Sequence, residues 1–328
     1  MTTSTAVIAA RHRELAAGLR STPRSIPSKY FYDDRGSELF DAICDLPEYY
    51  PTRAEQALLD ESAPQIAKTT RANELVELGS GTARKTRTLI SALLARGQGL
   101  HYAPLDISEY ALEEAVSAVS VEFPHVRLEP IVCDYTQSLE ALDPDPGCLV
   151  AFLGSTIGNF PNDQAVALLR RLRARLAAGD WLLLGLDLVK PIEVLEAAYN
   201  DDAGLTADFN RNILRAVNRE VAANFDPNAF DHLAFFNSVA SQIEMHLVAR
   251  SDQSVQLEAL GLEIDLSKGD RIRTEVSRKF TLRSTVGLLA EAGFALHRWF
   301  PSPERYFALA LASVADITTV PDNSRGNG

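Results

Sequence analysis

Residues 74–86 read ELVELGSGTARKT, an apolar run that stops at a glycine loop. Gly79-Ser80-Gly81-Thr82-Ala83 begins like a dinucleotide fingerprint, and Lys85-Thr86 ends like a phosphate-binding P-loop. Both patterns require glycine at position 84, and Arg84 stands there. In a P-loop that glycine lets consecutive N–H groups curl around phosphates; in a dinucleotide site it lets a helix close on its strand beside a pyrophosphate. A ligand with ribose and adenine but no phosphate makes neither demand. S-adenosylmethionine (SAM) needs a tight turn at Gly79 and Gly81, where backbone can approach its methionine portion. It also needs acids for its amine and ribose hydroxyls. Glu77 precedes the loop, Asp106 closes the apolar run "LHYAPLD", and Asp134, beside Tyr135, closes "LEPIVCD". Asp106 suits both ribose hydroxyls, and Asp134 suits the adenine amino group with Tyr135 as an aromatic flank. Strand-end acids also cap helices. Three of them in succession point more specifically to a ligand than the glycines do.

Those residues need a parallel sheet to hold them. ELVEL (74–78), LHYAPLD (100–106), LEPIVCD (128–134), CLVAFLG (148–154) and WLLLGLD (181–187) read as buried strands. Helical stretches lie between them, the clearest at 163–178, with Asn162 or Asp163 as N-cap and Gly179 past its end. Near-continuous apolar strands alternating with helices define an α/β fold with a parallel sheet, whose ligands sit at the strands' carboxyl ends. After about residue 195 the pattern changes. Helical stretches at 192–222 precede alternating segments such as SQIEMHLVA and DRIRTEVSRKF, which suggest an antiparallel unit. Residues 1–195 with 286–320 are expected to form the first domain, 196–285 an inserted α+β substrate domain, and 321–328 a disordered tail.

A chain of 328 residues has room for about two domains. Its net charge of -12 disfavours a nucleic-acid partner, since phosphates call for a basic face. Arg170, Arg171, Arg173 and Arg175 come closest to a basic patch. They share a helix with apolar Val166, Leu169, Leu172 and Leu176, and read as a solvated face. Three cysteines make no disulfide framework and fit a reducing compartment. No secretory signal and no apolar run of about 18 residues is present, so a cytoplasmic protein with no membrane partner is expected. Scattered histidines lack ligand spacing, and no metal is expected.

These residues resemble the family of histidine-specific Nα-methyltransferases that open ergothioneine biosynthesis. The resemblance runs from KYFYDDRGSELFDAICDLPEYYPTRAE (29–55) to RYFALA (305–310), through ELGSGTARKT, LGSTIGNF (153–160), IEMHLVAR (243–250) and IRTEVSRKF (272–280). It implies a Rossmann-like SAM-dependent methyltransferase domain plus a substrate domain, and successive methylation of the L-histidine α-amine to hercynine. Position by position it implies cofactor contacts at Tyr32, Gly79, Lys85, Asp106, Asp134 and Tyr135. It implies substrate contacts at Tyr49, Asn159 and Tyr199 around the amino-acid backbone and ring, and at Met245, Glu275 and Ser277 toward the imidazole. Tyr32, Tyr49 and Asn159 are the expected catalytic positions, and a monomer is expected.

The residue types make chemical sense in those places. Asn159 follows the fourth strand, at the sheet's active edge. An amide and a phenol hold a carboxylate without adding a competing cation. Glu275 and Ser277 alternate with Thr274 and Val276, so in an extended strand they share a side with Arg273. A carboxylate beside a hydroxyl suits a ring with both N–H and lone-pair nitrogens. Taken alone, periodicity reads that side as the solvent face of an edge strand. Met245 alone would read as core, and Tyr199 as a helix-surface residue. The alternatives are a SAM-dependent methyltransferase for another amino acid or small amine, a non-catalytic SAM-binding module, and, least, a dehydrogenase or P-loop ATPase.

Overall fold

The structure, a computed structural model, describes residues 5–314. Contacts divide the chain into two units. One holds the residues up to Arg53, Gly158–Phe160 and Val189–Lys279; the other holds Ala54–Ile157, Pro161–Leu188 and the residues from Phe280 on.

The second unit is the parallel α/β sheet. Glu74–Leu78 and Cys148–Phe152 bury every residue, and Trp181–Asp187 all but its first, as strands covered on both faces must. The strands run in the order Phe294–Pro301, Phe307–Val314, Trp181–Asp187, Cys148–Phe152, Glu74–Leu78, His101–Asp106 and Arg127–Leu128. Glu74–Leu78 pairs in parallel with His101–Asp106 on one side and Cys148–Phe152 on the other. The chain thus leaves this strand to one side and later returns on the other, making a topological switch point at the Gly79 turn. Phe307–Val314 is antiparallel to both its neighbours and closes the sheet.

Two local expectations fail here for plain reasons. The strand expected over 128–134 is reduced to the bridges Arg127–Leu128 and Ile131–Val132. Pro130 between them has no N–H for a ladder. The helix expected over 163–178 spans Asn162–Arg173, with Pro161 at the N-cap position and no side-chain cap. Proline's fixed φ starts the helix one residue early. Beyond Arg173 the chain tightens into turns, with Leu176 N–H donating to the Arg173 carbonyl at 3.2 Å. The arginines are tethers rather than a solvated face. Arg171 donates to the carbonyls of Thr136 and Gln137, Arg175 to Leu142 and Arg170 to Glu291.

The first unit carries an antiparallel sheet of Arg271–Arg278, Gln242–Ala249 and Phe230–Asn237, with Arg24–Ser25 added in parallel at the edge. A separate hairpin pairs Gln253–Leu257 with Leu262–Leu266. The helix Leu205–Val221 buries Asn210 and Asn212 among its apolar residues. Asn210 accepts a 2.6 Å bond from the Thr274 hydroxyl and donates to the His246 carbonyl at 3.0 Å. Thr274 is the extra residue of a β-bulge, because Arg273 pairs with His246 while Glu275 pairs with Met245. The bulge flips the alternation. Arg273 therefore lies on the face opposite Glu275, not on the shared side its spacing suggests, while Glu275 and Ser277 stay together.

The division also differs from the expected boundaries. The N-terminal segment groups with the antiparallel unit, because Phe31 stacks on Phe209 at 4.4 Å, Asn212 donates to Asp33, and Ile26 N–H reaches the Arg273 carbonyl. The chain rejoins the parallel sheet at Phe280, whose N–H donates to the Asp187 carbonyl at 2.8 Å, rather than at residue 286. The expected tail over 321–328 lies outside the described residues.

Asn210→Ala leaves the Thr274 hydroxyl and the His246 carbonyl without that partner in a buried site. It should lower unfolding free energy by roughly 1–3 kcal/mol in urea titration. Gly287, inside the helix Leu282–Ala292 with nothing within 4 Å of an added Cβ, gives the opposite case. Gly287→Ala should stabilise by about 0.5–1 kcal/mol.

Candidate functional site

On the second unit the glycine loop sits at the carboxyl end of Glu74–Leu78. Gly79 and Gly81 have φ of +68° and +50°, conformations that L side chains rarely adopt. A Cβ on Gly79 would also lie 3.3 Å from the Tyr135 hydroxyl. Gly81 N–H donates to one Asp106 oxygen at 2.9 Å and Ser108 N–H to the other at 3.0 Å. Burial raises the Asp106 pKa, and those backbone donors pull it back. Each oxygen keeps a lone pair for a ligand hydroxyl. Asp134 accepts from the N–H and hydroxyl of Thr136, and the Tyr135 ring meets Phe152 edge-on at 5.6 Å. Burial pushes the Tyr135 phenol far above its usual range. Gly79, Lys85, Asp106, Asp134 and Tyr135 thus belong to one unit. A phosphate-free nucleoside ligand fits them.

Two acids complete this loop from beneath. Glu55 is fully buried, accepts the Gly154 N–H at 2.8 and 2.9 Å, and pairs with the Lys85 amine. Gly185 makes room for it, because a Cβ there would lie 1.9 Å from the Glu55 carboxylate. Sequence reasoning missed Glu55, which sits in a helix far from the loop. Glu77, buried before the loop, is bonded within the protein. Its oxygens are taken by the Thr86 hydroxyl and, at 2.5 Å, by the Tyr102 hydroxyl. Burial pushes its pKa up to about 7, against the pull of those two bonds.

The first unit gathers a second set. Tyr32, Phe40, Tyr49 and Tyr199 form a row of rings, with successive centroids 5.8, 6.0 and 6.4 Å apart, all edge-on. Tyr32, expected among the cofactor contacts, therefore sits with the aromatic residues of this unit. Phe209, 5.9 Å from Phe40 and 6.1 Å from Tyr32, backs the row, and neither phenylalanine had a signal beyond hydrophobicity. Met245 is buried and pairs in register with Glu275. Ser277 is two residues on, and its hydroxyl accepts from Tyr199 at 2.9 Å and from the Lys279 amine at 2.8 Å. Burial pushes Glu275 up to about 7, with Lys279 pulling it down. Burial, then Tyr199, Cys44, Tyr32 and Glu275, hold the Tyr49 phenol well above its ordinary pKa. Asn159 ends the short helix Thr156–Asn159, in the Gly158–Phe160 stretch grouped with this unit. Its side chain has no hydrogen-bond partner among the described residues. Lys279 carried no sequence signal, since a lysine two residues past a strand pair reads as solvent-facing.

Away from both sets, Glu74, His101 and Asp145 bring ligand-type atoms within 4.8 Å at the strands' amino ends. The imidazole lies 3.1 Å from Glu74 and 3.2 Å from Glu129, without hydrogen-bond geometry to either, and Asp145 N–H donates to Glu74. No helix among the described residues is long and apolar enough to cross a membrane.

Residues 11–314 match the family described as histidine-specific methyltransferase, SAM-dependent. The chain is 44% identical over 303 residues to a histidine N-alpha-methyltransferase of Mycolicibacterium smegmatis, covering 92% of this chain and 94% of that one. It is 43% identical over 304 residues to the protein of the same name from Mycobacterium tuberculosis, covering 93% and 95%. Ergothioneine biosynthesis protein 1 of Schizosaccharomyces pombe is 31% identical over 242 residues, covering 70% of this chain and 31% of that longer protein.

Glu77 gives the parallel unit a pH signature. Between its ordinary value of 4.5 and about 7 the native state keeps a proton that the unfolded chain releases. Stability from this group therefore falls as pH rises across that window. Glu77→Gln should shrink the drop in thermal midpoint between pH 5 and pH 7.5. An undiminished drop would show that Glu77 is not the group responsible.

Proposed function

Since the chain belongs to the SAM-dependent, histidine-specific methyltransferase family, we propose that it is an L-histidine Nα-methyltransferase. It transfers methyl groups from SAM one after another to the α-amine, giving hercynine, the first step of ergothioneine biosynthesis. The observation that carries the histidine assignment is the single sheet face shared by Met245, Glu275 and Ser277, with Tyr199 bonded to Ser277. A carboxylate and a hydroxyl beside a thioether wall offer a polar five-membered ring two hydrogen-bonding partners and an apolar surface.

Bound SAM supplies an electrophilic methyl group on a sulfonium sulfur. Lys85 and the backbone of Gly79 and Gly81 hold its methionine portion. Asp106 takes the ribose hydroxyls, and Asp134 with Tyr135 takes the adenine. Tyr49, Asn159 and Tyr199 hold the substrate's amino-acid portion. Tyr49 stays protonated at neutral pH, because burial raises its pKa. It therefore meets a ligand as a neutral phenol that can donate its proton or accept at its oxygen. The amine sheds its protons to water, and positioning supplies the rate, a contribution of roughly 7–11 kcal/mol where geometry is pre-formed. The ring faces of Tyr32, Phe40 and Tyr49 offer cation–π attraction to an amine that gains methyls and loses its N–H groups. We take the enzyme to act as a cytoplasmic monomer without nucleic acid; its net charge of -12 supports the last of these.

Incubation with methyl-labelled SAM and each amino acid in turn should label histidine, and mass spectrometry should place three methyls on the α-amine. Label on a ring nitrogen would reject the assignment. Asp106→Ala should weaken SAM binding by roughly 1.5–3 kcal/mol. Glu275→Ala should cut kcat/KM for histidine about 10- to 150-fold while leaving SAM affinity unchanged, and phenylalanine and tryptophan should lose less. Unchanged histidine kinetics in a folded variant would remove Glu275 from imidazole recognition.

A further inference from the structure

Lys279 is 4% exposed and lies just past the strand that carries Glu275 and Ser277. Its amine donates to the Ser277 hydroxyl at 2.8 Å and to the Tyr199 hydroxyl at 3.2 Å, and sits 5.0 Å from the Tyr199 ring centre. Tyr199 in turn donates to Ser277 at 2.9 Å. A serine oxygen has two acceptor lone pairs. Both are now filled, one by the lysine and one by the phenol. The Ser277 hydroxyl can then only donate to a ligand. Glu275, the remaining charged group on this face, acts as the acceptor once ionised, and Lys279 balances its charge.

We propose that Lys279 is a positioning residue that sets the direction of hydrogen bonding in the histidine pocket, so that the pocket takes the neutral imidazole and refuses the imidazolium. This rests on the reading that Glu275 and Ser277 meet the ring. A neutral imidazole has one lone-pair nitrogen for the serine proton and one N–H for the carboxylate. An imidazolium has two N–H groups, and one of them would face a hydroxyl with no lone pair left. It would also add a second positive charge beside the buried ammonium. The titratable groups around this point are Glu275 on the same strand, Tyr199 after the helix Ile192–Ala197, and Tyr49 before the helix Tyr50–Thr70. Burial holds the Tyr49 phenol well above its ordinary pKa, and Glu275 and the ligand are the groups on this face that titrate near neutral pH.

The test uses the full chain and the trimethylated product hercynine, whose α-nitrogen no longer titrates. Its imidazole is then the ligand group that changes charge between pH 5 and 8. Calorimetry on the wild type should show affinity falling by more than tenfold per pH unit below about pH 6.5, because the imidazole and Glu275 both take up protons there. Lys279→Met should bind roughly tenfold or more weakly at pH 8 and lose the imidazole's share of that pH dependence, keeping the share set by Glu275, while SAM affinity stays. Lys279→Arg, which keeps a donor cation, should restore part of the pH dependence. If Lys279→Met does not fold, Ser277→Ala reads the same point, because removing the donor should also flatten the profile. A folded Lys279→Met or Ser277→Ala with wild-type affinity and wild-type pH dependence overturns the proposal. A wild type that neither binds hercynine nor methylates histidine would instead overturn the functional assignment beneath it.

Discussion

A charge removed from water has to be matched where it stands, and both candidate residue sets in this protein are organised around such a match. Glu55, fully buried, holds Lys85 and the Gly154 N–H together, and Gly185 is a glycine because a Cβ would occupy the carboxylate's place. Lys279, nearly as buried, is held by Ser277 and Tyr199. Leaving one partner of such a pair alone costs far more than the pair contributes net. The partners are therefore constrained in position, and that constraint is useful in itself. A side chain that must satisfy a buried charge cannot wander, so the groups around it stay pre-set for a ligand.

The bulge at Thr274 extends the same logic to the backbone. An unbroken strand would place Arg273 on the side of Glu275 and Ser277, bringing a second cation into the pocket. One extra residue, bonded through Thr274 to Asn210, moves Arg273 to the other face. The pocket keeps one carboxylate, one ammonium and neutral hydroxyls. A weak local feature thus sets the electrostatic character of the binding face.

The parallel core was legible because its signals are local. ELVEL, CLVAFLG and WLLLGLD are buried on both faces, and burial on both faces writes itself as continuous apolar sequence. The loop was legible for the same reason, since Gly79 and Gly81 take positive φ within three residues. What stayed hidden depends on distant partners. The N-terminal segment groups with the antiparallel unit through Phe31 on Phe209 and Ile26 on Arg273, contacts that no periodicity announces. Nothing before the loop announces that Thr86 and Tyr102 both bond to Glu77. Lys279 is the sharpest case. Its importance comes wholly from the two hydroxyls it meets, one of them 80 residues away in sequence.

On the proposed assignment, the aromatic row of Tyr32, Phe40, Tyr49 and Tyr199 answers a requirement peculiar to repeated methylation of one nitrogen. The first acceptor is an amine with hydrogen-bonding capacity, and the last product is a cation with none. A carboxylate placed to grip the amine would grip the trimethylated cation by charge and slow its departure. A phenol whose pKa is raised by burial carries no charge to do so, and a ring face attracts the cation weakly, by about 0.5–2 kcal/mol per contact. Charge is accordingly spent on the imidazole, which does not change during the reaction, and withheld from the nitrogen, which does. On the proposed assignment, Glu275 and Lys279 serve the imidazole with Tyr199 beside them, and Tyr32 and Tyr49 serve the nitrogen. That division lets one site serve the unmethylated, partly methylated and fully methylated substrate without rearranging.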